Sequence, residues 1–374
     1  MRYEIRIQAG MLTLETRRED MPLDTLLSFA SRQNPKRGFL FVSKVLGKHI
    51  PCRPFQMRAV YDRLAAQLQG LPGPIVVIGM AETATGLGGG VADSLARQEG
   101  RDDIFYIHTT RHWLTGPVLI TFDESHSHAP DHILYAPQGE RAELFARARS
   151  LVLVDDEIST GRTLRLLAER VAVHMPRLRR ILLAAIVNWL DLPQQRGLMA
   201  GARQEIRLLS LLEGSFGFRP NPDFRPALPP RLSACRRSLY ARHDTGRTGL
   251  IMPHGIDHLP AGPVPQGPLV MVGTGEFTFA PFLAAERLEE QGHNVLFQST
   301  TRSPIVEGDA ISRKLIFTDE QGEGIANYIY NLPTDRSVIV AYEHPAMAAA
   351  HDFPGLVAAQ LWALPRAATG SVAA

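Results

Sequence analysis

The chain has 374 residues, enough for two domains, and its 45% hydrophobic content supplies ordinary cores. A formal net charge of +2 gives no strong nucleic-acid or membrane-surface signal, and no apolar run approaches bilayer length. Two cysteines, Cys52 and Cys235, form neither a disulfide framework nor a zinc spacing.

Residues 1–20 alternate apolar and charged positions, which predicts a β-hairpin. They contain no long apolar stretch of the signal-peptide kind, so a soluble cytoplasmic protein is expected. Residues 22–53 mix turn signals with basic residues. A helix is predicted over 54–69, with Phe55, Ala59, Val60, Leu64, Ala65 and Leu68 on one face. PIVVIGM (74–80) and IFYIHT (104–109) read as strands of a parallel sheet, with a helix over 87–97 between them. Strands are expected near 118–122 and 132–136, and a helix near 140–148. LVLV at 151–154 is a further strand, TLRLLAERVAVHM (163–175) a helix and ILLAAIVNWL (181–190) a strand. Strands alternating with helices predict an α/β fold with a mainly parallel sheet. Residues 215–268 are rich in Pro and Gly and read as an irregular linker. LVMVG (269–273) opens a new block, so the expected units are 1–214, 215–268 and 269–374.

The last block resembles the first. Residues 75–114 and 269–305 both run strand, Gly-x-x-Glu, helix, strand and Thr-Thr-Arg, which pairs Glu82 with Glu276 and Arg111 with Arg302. ITFDE (120–124) echoes IFTDE (316–320), and RSLVLV (149–154) echoes RSVIVA (336–341). Four matches in order over such a length point to an internal duplication. Where the first copy has VDDEISTG, the second has AYEHPA and lacks the paired aspartates.

The densest chemistry lies in LVLVDDEISTGRT (151–163). Ligands of parallel sheets sit at the carboxyl ends of strands. Carboxylates only accept hydrogen bonds, so Asp155 and Asp156 can take the two donors of a vicinal diol and help position a hard cation. The loop Ser159-Thr160-Gly161-Arg162-Thr163 opens a helix, where amides, hydroxyls and the helix dipole favour an anion. A diol site one turn from a phosphate site describes a ribose 5-phosphate.

LVLVDDEISTGRT resembles the phosphoribosyl-pyrophosphate (PRPP) signature of type I phosphoribosyltransferases. Further segments, NPKRGFLFVSKVLGKH, GMAETATGLG, HTTR, DESHSHAP, GTGEF, STTRSP and GEGIANYIYN, resemble the phosphoribosyltransferases encoded with bacterial tellurium-resistance genes. Those proteins carry a C-terminal TRSP domain named for a Thr-Arg-Ser-Pro motif, matched by Thr301 to Pro304. The resemblance implies a type I phosphoribosyltransferase-like α/β fold, Rossmann-like, followed by a second, diverged α/β domain of similar core. It implies an enzyme that moves the 5-phosphoribosyl group between PRPP and a nucleobase-like acceptor with release of pyrophosphate, making or modifying a nucleoside-like metabolite. Asp155 and Asp156 would bind the ribose hydroxyls and Mg2+ indirectly, and Ser159, Thr160, Gly161, Arg162 and Thr163 the 5-phosphate. The loop Met80–Thr85, with Ala81, Glu82 and Thr83, would meet the pyrophosphate, and Arg111 would serve the leaving group. Glu157 stands where the family usually has an apolar residue, and Ser159 where many members have an acid. Such enzymes often pair as homodimers.

Other readings are weighed against this one. A receiver domain also opens with adjacent acids but needs a later lysine, and no lysine occurs between Lys48 and Lys314. GLGGG (86–90) lacks the Gly-Lys-Ser/Thr of a phosphate loop and reads as a helix start packed against a strand. GTGEF (273–277) lacks the third glycine of a dinucleotide fingerprint. His108, His112, His126, His128 and His132 could hold a metal, although a substrate loop suits His126 and His128 better, and ordinary loop positions better still. Lys36, Arg37, Lys44 and Lys48 form either an anion pocket or a solvated basic face. Glu276, Thr301 and Arg302 form either a second ligand pocket or fold-holding contacts. A regulator that senses PRPP or a nucleotide is the alternative to the enzyme.

Overall fold

The structure is a computed structural model, and it describes residues 1–32, 34, 37–122, 132–225, 238, 240–254 and 264–364. The chain opens with the expected antiparallel hairpin, β1 (Arg2–Ile7) and β2 (Gly10–Glu19). Its alternation sends Leu12 and Leu14 into the core. A short helix α1 (Leu23–Leu26) leads to a second hairpin, β3 (Leu27–Ser31) and β4 (Phe39–Ser43). Helix α2 (Pro54–Ala66) buries Val60, Leu64 and Ala65 as predicted, whereas Phe55 is 52% exposed. Its inner face is rotated toward Met57 and Tyr61, because Tyr61 meets Phe282 of the second half at 5.1 Å while Phe55 lies under the Arg53 guanidinium.

Next come β5 (Ile75–Gly79), α3 (Ala84–Glu99), β6 (Ile104–His108), β7 (Val118–Phe122) and β8 (His132–Tyr135). They are followed by α4 (Glu140–Arg147), β9 (Ser150–Ile158), α5 (Arg162–Ala172), β10 (Arg180–Asn188), α6 (Leu192–Met199), β11 (Glu205–Pro220) and β12 (Leu250–Met252). One sheet takes the order β1-β2-β11-β10-β9-β5-β6-β12. Its centre, β11 to β6, is parallel, and the N-terminal hairpin and β12 add antiparallel edges. The central strands β5 and β6 are buried along their whole length, as continuous apolar runs require.

Two expectations change. Strand β9 does not stop at Val154 but runs through Asp155 and Asp156 to Ile158, because β10 continues to pair with it. The stretch from 215 is not simply a linker. β11 continues to Pro220 along β2, Leu250–Met252 closes the β6 edge, and Tyr240 stacks on His344 at 5.4 Å. Open sheet edges offer hydrogen bonds that override a Pro/Gly-rich texture. Residues 226–237, 239 and 255–263 of that stretch, with Cys235, lie outside the described residues.

The second half contains β13 (Leu269–Gly273), α7 (Phe279–Glu290), β14 (Val295–Ser299), β15 (Lys314–Thr318), β16 (Ala326–Tyr330) and β17 (Ser337–Tyr342). It ends in α8 (Pro345–Ala350), α9 (Phe353–Leu356) and β18 (Gln360–Ala363). Its parallel sheet, β18-β17-β13-β14, repeats the order β10-β9-β5-β6. Both halves insert an antiparallel hairpin after the second of these strands, β7-β8 and β15-β16. Local bonds repeat as well. Thr110 bridges Ile133 as Thr301 bridges Tyr328, and the Tyr135 hydroxyl accepts from Leu114 N as that of Tyr330 accepts from Ile305 N.

The halves share one apolar core, joined where α3 meets α7. GLGGG lies within α3, and its glycines permit that contact on one side and the approach of β5 on the other. A Cβ on Gly88 would come within 2.8 Å of the Gly79 Cα, and one on Gly89 within 2.6 Å of the Phe279 ring. A glycine inside a helix costs roughly 1 kcal/mol relative to alanine, a cost offset by close packing on both sides.

Candidate active site

Register brings three loops to one edge of the large sheet. Gly79 is paired with Val154 on one side and with His108 on the other, so the chain leaves β5 at Met80, β6 at Thr109 and passes Asp155 at the same level. Beyond Val154, β9 keeps β10 as a neighbour on one flank only, with Glu157 opposite Val187. Asp155 and Asp156 therefore stand where β5 has already ended. The backbone N–H of Asp156 donates to Asp155 Oδ1 at 3.0 Å. Burial raises the Asp156 carboxyl above its ordinary range, partly offset by the Asp155 hydrogen bond and by the charges of Arg37 and Lys48.

The loop after β9 has the form the sequence suggests. Gly161 adopts φ +68° just before α5, a conformation that glycine takes without the steric cost of a Cβ. A Cβ there would also collide with Leu198. Ser159, Thr160, Arg162 and Thr163 are partly or fully exposed around the helix start, open to a ligand. This eleven-residue helix gives the loop a positive dipole end.

The loop after β5 is more committed. The Met80 N–H donates to Val154 O at 3.0 Å, and the Ala81 N–H to Thr109 Oγ1 at 2.9 Å, so neither amide is open to a pyrophosphate in this conformation. The Ala81–Glu82 peptide bond is cis. Glu82 forms an ion pair with the buried Lys48, whose ammonium also donates to Thr300 O at 2.8 Å and Gly275 O at 3.3 Å. Burial opposes ionisation of Glu82, but Lys48, Arg302 and Arg111 outweigh it and its carboxyl lies below the usual range. Thr83 precedes α3, half-buried.

Arg111 lies beyond β6 and is held from the second half. Glu276 accepts from the Arg111 N–H at 2.7 Å and from the Thr110 hydroxyl at 2.5 Å, and pairs with Arg247 at 3.0 Å. Arg247 is 1% exposed and also binds Glu343 at 2.6 Å. Burial opposes ionisation of Glu276, yet His112 and Arg247 beside it hold it well below the ordinary carboxylate range. Of the two readings open for Glu276, its contacts are those of a strut between halves. Thr301 bridges Tyr328, and Arg302 lies close enough to bias both Glu82 and Glu320.

The sequence reading did not single out Arg247, because it lies in the stretch taken for a linker. The basic group at 36–48 does not form one pocket. Lys48 is buried between the halves, Lys44 binds Asp24 O and Arg37 binds Glu157, while Lys36 lies outside the described residues. His108, His112 and His132 are buried. Burial lowers His112 to about 4, and His132 stacks on Phe122 at 4.9 Å. His126 and His128 lie outside the described residues, and among the described residues no group of three or more His, Cys, Asp or Glu is poised to hold a metal.

A cleft opens between the β3-β4 hairpin and the sheet, lined by Leu27, Phe41, Ser43, Asp156, Glu157, Ile186 and Val187. One Arg37 nitrogen donates to both oxygens of Glu157, at 2.7 and 3.0 Å. Burial pushes the Glu157 carboxyl up to about 7, against the pull of Arg37. The adjacent carboxylates are hard oxygen donors. Magnesium is commonly held by one or two carboxylates together with substrate phosphates and water, so this donor set suits a cation arriving with a pyrophosphate.

Comparison with known proteins identifies the family of the chain. The phosphoribosyl transferase family model matches residues 26–215, and that of the TRSP domain, which lies C-terminal to it, matches residues 256–359. The chain belongs to the phosphoribosyl transferase family. This phosphoribosyltransferase is similar to solved structures at low identity. An APRTase from Giardia lamblia, complexed with 9-deazaadenine, is 19% identical with a TM-score of 0.35, over 53% of this chain and 98% of that one. An adenine phosphoribosyl transferase from Trypanosoma brucei, in complex with AMP, pyrophosphate and ribose-5-phosphate, is 18% identical with a TM-score of 0.37, over 53% and 82%. No curated protein matches. Among the described residues no helix is long and apolar enough to cross a membrane.

Proposed function

We propose that this phosphoribosyltransferase joins the 5-phosphoribosyl group of PRPP to a nucleobase-like acceptor in the cytoplasm, and that the product is a nucleoside-like metabolite of a tellurium- or stress-resistance system. In this reading Asp155 and Asp156 hold the ribose hydroxyls, and Ser159 to Thr163 hold the 5-phosphate with their amides and hydroxyls. An acceptor nitrogen attacks C1 as the C1–O bond to pyrophosphate breaks, and Arg111 offsets the charge that grows on the leaving group. Asp155 and Asp156 would orient magnesium, which when bound supplies further charge neutralisation on the pyrophosphate. Ala81, Glu82 and Thr83 line the pyrophosphate side. Because the Ala81 N–H is engaged by Thr109 and Glu82 by Lys48, their part is to shape that wall and place Lys48 near it.

One observation carries the reading: the register that brings the acid pair, the Thr-Gly loop, the β5 loop and the Thr-Thr-Arg segment to one sheet edge. Incubation with PRPP, magnesium and a panel of bases, followed by mass spectrometry, tests it. A product heavier than a base by one phosphoribosyl group, formed together with pyrophosphate, is expected. PRPP binding without any product from the panel would favour the sensing regulator instead.

A further inference from the structure

We propose that the second half is a built-in partner subunit: it binds no phosphoribosyl ligand of its own and instead holds the Arg111 loop in working position, with Glu276 as the positioning residue. This rests on the proposed phosphoribosyl transfer. The halves meet as two copies meet across a two-fold axis, each giving the other what it receives. A Cβ on Gly79 would come within 2.5 Å of Ala84 O, and one on Gly273 within 2.5 Å of Phe277 O, which makes the following residues, Thr85 and Thr278, equivalent. Their hydroxyls lie 2.8 Å apart, like facing like. On either side of that contact the exchange is reciprocal. Glu276 reaches from the second half to Thr110 and Arg111. Glu82, its counterpart in the first half, pairs with the Lys48 that donates to Thr300 O and Gly275 O.

The second half's own ligand edge is filled. Ala341 pairs with Gly273 as Val154 pairs with Gly79, so Tyr342 and Glu343 stand where the first half has Asp155 and Asp156. Glu343 is 3% exposed, and its two oxygens accept from the Arg247 guanidinium at 2.6 and 2.9 Å. The Arg242 N–H adds a further bond to it at 2.6 Å, and the Tyr342 hydroxyl is engaged with His351 at 2.7 Å. An arginine of the chain thus takes the place that a sugar's hydroxyl pair would need. The same guanidinium pairs with Glu276 at 3.0 Å, so the filled edge of one half anchors the carboxylate that serves the other.

What Glu276 holds is the turn that carries Arg111. The Thr109 N–H donates to Gly79 O, that of Thr110 to Ile133 O, that of Arg111 to Glu276 and that of His112 to the Thr110 hydroxyl. Of these four bonds, the one at Arg111 crosses from the second half. A backbone pinned in this way fixes where the arginine side chain starts, and stabilising a leaving group depends on such placement.

Calorimetry on the full chain with PRPP, ribose 5-phosphate and pyrophosphate, each with magnesium, tests both parts. Wild type should bind one PRPP per chain, and two would overturn the proposal. Free pyrophosphate carries the charge that Arg111 offsets, so Arg111→Ala should weaken it about tenfold. Glu276→Asp keeps the charge beside Arg247 but draws the carboxylate back by one methylene. It should weaken pyrophosphate about fivefold, leave ribose 5-phosphate within about twofold, and add almost nothing in the Arg111→Ala background. Glu276→Gln, which keeps the reach and one acceptor oxygen, should lose less. The positioning role is overturned if neither variant weakens pyrophosphate, or if the losses add in full to that of Arg111→Ala. Equal weakening of ribose 5-phosphate and pyrophosphate, the mark of a purely structural strut, also overturns it. Any of these results with PRPP and ribose 5-phosphate still bound by wild type contradicts this inference alone. Wild type that binds neither contradicts the proposed function, and this inference falls with it.

Discussion

Glu276 and Arg111 are 165 residues apart in sequence, yet the Glu276 carboxylate accepts a 2.7 Å hydrogen bond from the Arg111 backbone N–H. The second half thereby fixes the backbone of the first half's candidate leaving-group arginine, and Arg247 neutralises the carboxylate that does it. Removing one member of a buried, paired charge cluster commonly costs about 3–5 kcal/mol. Glu276→Ala is therefore expected to lose stability in that range in urea denaturation. A midpoint equal to wild type would show that the strut carries no load.

The Lys48–Glu82 pair makes a similar link from the other side. Lys48→Met removes the ion-pair partner of the buried Glu82 carboxylate, leaving it the charges of Arg302 and Arg111, and deprives Thr300 O of its ammonium donor. A loss of about 3 kcal/mol or more is expected. Adding Glu82→Gln should restore at least about 1 kcal/mol, since the stranded charge is gone. Strictly additive losses in the double variant would contradict the pairing.

For the proposed chemistry, Asp155→Asn combined with Asp156→Asn should abolish PRPP binding in calorimetry. Unchanged affinity would remove the ribose assignment. Arg111→Ala should lower kcat by about 100-fold or more, with a much smaller effect on PRPP affinity. Equal kinetics would end its leaving-group role.

Buried His112 titrates at about 4, below the ordinary histidine value of 6.5. Its neutral form is the one the folded protein accepts, so the unfolded chain binds more protons between those two values. The stability this group contributes is complete above about pH 6.5 and is lost as pH falls toward about 4. Glu276, with its carboxyl depressed, adds a loss in the same direction at lower pH. The stability difference between wild type and His112→Gln should therefore shift by about 2 kcal/mol against wild type between pH 7.5 and 5, read from urea midpoints. A difference independent of pH would contradict the buried neutral imidazole.

Much of this protein was legible in the sequence because the signals are local. Continuous apolar runs such as IVVIG and LVLV mark strands buried on both faces, and a glycine after two hydroxyl residues marks the turn before α5. The repeated order of motifs also announced the repeated sheet order.

What local pattern could not decide are contacts made only once the chain is folded. Phe55 fits the apolar stripe of α2 as well as Met57 does, and the position of α7 settles which is buried. Arg247 looks like any loop arginine until two glutamates from the loops after β13 and β17 surround it, and Glu157 meets Arg37 across 120 residues. Propensity and periodicity act over a few residues, so the sequence alone determined most strands and helices and the glycine turn before α5. Charge pairing and sheet-edge completion depend on which surfaces meet, so only the tertiary structure decided the struts between the halves, the strand continuing to Pro220 and the pairing of Glu157 with Arg37.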